Sequence, residues 1–142
     1  MKVFTLILCL FPAICFAVDN PDAPDYLGDF RKRIAPLEKY INENAETTAD
    51  FRVGYQNLEK ALEKELDSAL QKLTGELETY DKEQLQLSQR QWEKFRDGEF
   101  IFISNNFDNI RFGSSATLSR GAYRTSILKD RIIQLLKYLL NY

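Results

Sequence analysis

The chain has 142 residues, 44% hydrophobic and 28% charged, with a formal net charge of −2, two cysteines and no histidine. The missing histidine removes the commonest general base and metal ligand, and the acidic balance without a dense basic stripe argues against nucleic-acid binding. Both cysteines, Cys9 and Cys15, stand near the start, so the rest of the chain offers no thiolate nucleophile, zinc site or disulfide and must rely on its core.

The opening "MKVFTLILCLFPAICFA" places Lys2 before an apolar run from Val3 to Phe16 and ends in the small-x-small triplet Cys15-Phe16-Ala17. This pattern predicts a signal peptide, residues 1–17, cleaved near Ala17, and a protein that is periplasmic or secreted. The run is shorter than the roughly 20 apolar residues of a spanning helix, and Pro12 interrupts it. No stable membrane insertion is expected after cleavage. "VDNPDAP", residues 18–24, reads as a flexible lead-in, leaving residues 25–142 for one helical domain.

Leu27, Phe30, Ile34, Leu37 and Ile41 recur at three or four residues and predict a short first helix. Pro36 should bend or restart it. Thr47 or Thr48 can cap a second helix, whose stripe is Phe51, Tyr55, Leu58, Leu62, Leu66, Leu70, Leu73 and Leu77, with Gly75 at a weak point or at the end. A third helix is expected from Thr79–Asp81 to about Asn105, followed by a loop, "NNFDNIRFGSS", to Ser115. The last helix carries Leu118, Ala122, Leu128, Ile132, Leu135 and Leu139. The expected fold is all-α, a small bundle of three long amphipathic helices plus a shorter, proline-broken N-terminal one.

The third helix holds the densest chemistry, "QRQWEKFRDGEF". Leu85, Gln89, Trp92, Arg96, Phe100 and Ile103 share one helical face, with Phe95, Glu99 and Phe102 beside it. Trp92, Phe95 and Phe100 are therefore expected in the core. Arg96 and Glu99, three residues apart, can pair, and Arg131 flanks the apolar stripe of the last helix. A charge so placed needs a partner, so an inter-helix ion pair that sets register is expected. Glu93, Asp97 and Glu99 lie on successive turns of one helix, whereas glycosidase carboxylates flank a cleft from different elements. No phosphate loop or dinucleotide fingerprint is present. The chain reads as a non-enzyme without cofactor or metal.

"LSQRQWEKFRDGEF" resembles the signature of the LprI-type lysozyme-inhibitor family, exported helical bacterial domains. The matching positions are Gln89, Trp92, Arg96, Asp97 and Glu99. "DFRVGYQNLEKAL" and "YRTSILKDRIIQL", with Arg131 at the family's arginine, extend the likeness over about 47–139. The resemblance implies a cysteine bridge between the third and last helices. Here its positions hold Phe100 and Tyr123, so an aromatic contact is expected in its place.

From Glu38 to Glu83 there are 12 acids against 6 bases, net −6; from Gln84 to Tyr142 there are 5 against 9, net +4. These are either two solvated helix faces or a dipole that attracts a basic partner. The resemblance implies an exported binding module that inhibits lysozyme or another basic hydrolase. The alternative is a periplasmic structural or envelope-assembly protein without a hydrolase target. Candidate contacts for a basic partner are the acids Glu63, Asp67 and Glu76. Loop residues Phe107, Asp108 and Phe112 would either insert into that partner or, for the two rings, pack back onto the bundle.

Overall fold

A computed structural model describes residues 24–142; the expected signal peptide and the lead-in up to Asp22 lie outside the described residues, as does Ala23. Asp25 starts helix α1 (Tyr26–Lys39) by accepting a hydrogen bond from the Gly28 N–H at 2.8 Å, which satisfies one of the orphan donors of the first turn. Phe30 and Ile34 bury its inner face. Helix α1 runs through Pro36 without restarting, and the break comes after Lys39, in a π-helical turn at Tyr40–Asn44. Lys32, whose carbonyl would have bonded residue 36, is exposed. Water can therefore replace the hydrogen bond the proline cannot make.

Thr47 caps α2 (Thr48–Glu76) in a reciprocal box: its hydroxyl accepts from the Asp50 N–H at 3.2 Å, and the Asp50 carboxylate accepts from the Thr47 N–H at 2.9 Å. The Thr47 hydroxyl and backbone N–H hold Asp50 below the ordinary carboxylate range. Its contribution is thus present above the unfolded-state pKa and lost as pH falls through the lower folded one. The expected leucine stripe is the buried one, at Leu58, Leu62, Leu66, Leu73 and Leu77, with Phe51, Tyr55 and Leu70 half-buried beside it. Gly75 stands one residue before the helix end.

Helix α3 spans Thr79–Asn106 and α5 spans Ser115–Leu139; the intervening segment, expected as a loop, contains a one-turn helix, α4 (Asn109–Phe112). Every regular element among the described residues is helical. Helices α2 and α5 form the main pair, with Leu128, Ile132 and Leu135 of α5 facing the α2 leucines and Phe30 and Ile34 closing the core from α1. Three ion pairs tie the same helices together: Arg33–Glu65 at 2.7 Å (α1–α2), Arg124–Glu59 at 2.5 Å (α5–α2) and Lys129–Glu38 at 2.8 Å (α5–α1). Partly exposed pairs of this kind are each worth at most about 1 kcal/mol, so they set alignment more than stability.

The first half of α5 departs from the expected stripe. Leu118 is half-buried and Ala122 exposed; the buried positions are Ala116, Thr117, Gly121 and Thr125. A narrow face is needed there because Tyr55 lies against the α5 backbone: a Cβ at Gly121 would stand 2.2 Å from Tyr55 Cγ and 2.7 Å from its Cβ. Those atoms are the root of the ring and cannot swing aside. Overpacking typically costs about 1–3 kcal/mol, more than the roughly 1 kcal/mol alanine gains over glycine in a helix. Gly121→Ala should therefore unfold at a lower urea midpoint than the parent. A higher midpoint would show that α5 can lift off Tyr55.

Candidate functional site

The aromatic and arginine-rich segment of α3 meets α5 at Trp92. Only Gln89 and Ile103 of α3 are buried, while Leu85, Trp92, Arg96 and Phe100 are half-buried. Trp92 and Phe100 pack against the core as expected. Phe95 does not: it is 55% exposed, because it lies about 80° farther round the helix than the buried Gln89 and Ile103 face allows.

Arg131, only 5% exposed, projects from α5 into this junction. Its Nε donates to Gln89 Oε1 at 3.1 Å, one terminal nitrogen donates to Gln134 Oε1 at 2.7 Å, and the other makes a long contact to Ser88 Oγ at 3.4 Å. Gln89 passes the chain on by donating to Glu93 Oε1 at 3.2 Å. The expected inter-helix ion pair is thus replaced by neutral acceptors. Burial lowers the Arg131 pKa, opposed by Tyr138 and Glu93, but an arginine stays charged.

Trp92 has two cations near its ring, with the Arg131 guanidinium 5.7 Å from its ring centre and that of Arg96 at 5.4 Å, both within cation–π range. Arg96 takes its carboxylate from the adjacent Asp97, at 2.7 Å, and not from Glu99. The adjacent carboxylate is reachable while Arg96 lies over Trp92. The motif therefore docks α3 on α5 through donors and π faces.

The contact expected between Phe100 and Tyr123 is also redistributed. Phe100 lies under the Arg124 guanidinium at 4.3 Å, whereas Tyr123 packs at a tilt against Phe107 with ring centres 4.9 Å apart. One residue along α5 turns the side chain by about 100°, enough to exchange a tyrosine for the arginine that follows it.

The remaining candidates fall at two ends of the molecule. Glu63 and Asp67 are exposed on α2 but share that side with the exposed Lys60 and Lys64, so the face is mixed in charge. Glu76 lies at the α2–α3 corner with the exposed Glu78, Asp81 and Glu83. At the other end, Phe107 packs back between Tyr123 and Phe112, 5.4 Å from the latter. Asp108 caps α4, accepting from the Ile110 and Arg111 N–H groups at 2.8 and 2.9 Å. Tyr55 touches Gly121 near this end, and 21 residues of helix separate it from Glu76, about 32 Å at 1.5 Å each. The acidic corner and the aromatic loop therefore do not form one patch.

The residue most open to a partner is Ile110, 97% exposed at the tip of α4. Sequence reasoning passed over it, although an isoleucine among Asn, Asp and Arg in a turn is itself a signal. A shallow groove of about 310 Å³ between α3 and α5 is lined among others by Glu99, Phe102, Phe107, Tyr123 and Ile127.

A family model described as "Lysozyme inhibitor LprI" matches residues 41–135, from the π-helical turn to late α5. No curated protein and no solved structure matches the chain.

Proposed function

The chain belongs to the LprI lysozyme-inhibitor family, and from that membership we propose that it is an exported helical binding module that obstructs a lysozyme or another basic hydrolase. The family match carries the reading. The α4 tip gives it a surface: Ile110 and Phe112 project from a corner stiffened by the Asp108 cap and backed by the Phe107–Tyr123 contact. Rigid apolar anchors of this kind dominate binding energies, ringed by near-neutral contacts. The acid-rich half, net −6 from Glu38 to Glu83, supports electrostatic steering of a basic partner toward the molecule. Glu63, Asp67 and Glu76 contribute to encounter, and the α4 corner to retention.

The test is lysozyme activity in the presence of excess protein at low and at high ionic strength. Inhibition is expected at low salt, weakening as salt rises. The change Ile110→Asp, at a position 97% exposed, should abolish it without lowering the unfolding midpoint. No inhibition and no complex at low ionic strength would overturn the proposal.

A second reading, a periplasmic structural or envelope-assembly protein, is favoured by the outer side of α3, where Leu87, Phe95, Ile101 and Phe102 are all exposed. Phe95→Asp separates the two readings: it should leave lysozyme inhibition intact and disturb only an assembly made through α3.

A further inference from the structure

Near the α5 start, α2 and α5 border a cleft of about 280 Å³, lined among others by Arg52, Tyr55, Glu59, Thr117, Arg120 and Arg124. We propose that this cleft is a binding site for a small ligand bearing an oxyanion, a carboxylate or a phosphate, held by Arg52, Arg120 and Arg124.

Charge is the first observation. Three arginines line the cleft against one acid, and that acid, Glu59, is already engaged by a terminal nitrogen of Arg124. Arg120 makes only a long contact, 3.4 Å, to Asn109 Oδ1. Arg52 forms no ion pair among the described residues. Like charges converging on one concavity raise the local potential and draw in an anion. The planar fork of arginine matches the paired oxygens of carboxylate and phosphate.

Unpaired buried groups are the second observation. Thr117 is 7% exposed, and its hydroxyl oxygen has no hydrogen-bond partner; neither has the buried Nε of Arg124. Buried donors without acceptors are rare in folded proteins. Two of them in the wall of one arginine-lined cleft point to an acceptor supplied from outside the chain. The wall is also built to hold Arg124 still: Glu59 grips one edge of its guanidinium while the Phe100 ring supports its face at 4.3 Å. Gly121 completes the floor by letting Tyr55 approach.

Size narrows the ligand. Pockets for drug-sized molecules run to about 300–1,000 Å³, so this one, at about 280 Å³, suits a ligand at the small end of that range. A cation is excluded by the arginines. The inference is independent of lysozyme binding, since its readout is the titration of a small molecule.

The experiment is an NMR titration of the full chain with inorganic phosphate and, separately, with acetate, ionic strength being held constant with chloride. Saturable shifts are expected at the Arg124 Nε–H and at the amides of Thr117 and Gly121. A stronger response to phosphate assigns a phosphoryl ligand, and a stronger response to acetate a carboxylate; either supports the site. The variant Arg52→Gln, Arg120→Gln removes two cations that carry no part of the core, and should weaken the tighter probe by about tenfold or more while the unfolding midpoint stays put. Shifts that fail to saturate, shifts spread over arginines elsewhere, or full affinity in that variant would each overturn the proposal.

Discussion

Leu62→Ala lowers the unfolding free energy by about 2–5 kcal/mol, the range for truncating a buried leucine. Leu62 is 0% exposed and sits mid-way along α2, where the helix faces α5. The core around it is built of leucine and isoleucine from two long helices, tied to each other by the ion pair at Glu59 and to α1 by the one at Glu65. Such a frame closes only partly over a cavity, so the loss belongs in the upper half of that range. No cysteine occurs among the described residues, so the core works without a disulfide. A total stability of about 5–15 kcal/mol makes this one substitution a large share of the whole. Urea unfolding followed by circular dichroism measures it, with Leu87→Ala as a control on an exposed α3 position, expected within about 0.5 kcal/mol of the parent. A loss below about 1 kcal/mol for Leu62→Ala would mean that α2 and α5 slide together to refill the space.

The parts of this fold that were legible are those governed by one helix at a time. A leucine every three or four residues marks the buried face of α2, and Thr47 and Thr48 mark its start. What escaped prediction depends on two helices meeting. The first half of α5 buries Thr117, Gly121 and Thr125 in place of Leu118 and Ala122 because Tyr55 of another helix requires a narrow face there. Phe95 and Phe102 lie on the apolar side of α3 by spacing, yet α3 touches the bundle along too thin a strip to cover them. The site was legible at its centre and not at its edges. Gln89, Trp92 and Arg131 were singled out and do converge. The partner of Arg131 was misjudged because an ion pair is the usual remedy for a buried charge, whereas an amide oxygen and an indole face serve here. The arginine cleft joins residues from α2 and the start of α5, 65 positions apart at Glu59 and Arg124, and no local spacing reveals it.

Arg131→Ala should cost about 3 kcal/mol and loosen α3 in particular. Hydrogen bonds to a charged group contribute about 1.5–3 kcal/mol, and the cation over Trp92 adds about 0.5–2, offset in part by the relief of a buried charge. None of the ion pairs among the described residues reaches from α3 to another helix, so Arg131 is its principal polar tie to α5. Gln89→Leu should cost nearly as much for the opposite reason: the charge stays and its acceptor is gone. Removing both partners together, as Arg131→Met with Gln89→Leu, should restore most of the loss, since a polar pair replaced by apolar groups of similar volume leaves nothing unsatisfied. Trp92 supplies a local readout, its emission moving toward that of a water-exposed indole in Arg131→Ala. If the alanine variant loses less than about 1 kcal/mol and the emission stays put, α3 is held by its apolar contacts alone. The buried arginine would then select the register of α3 on α5 without stabilising it.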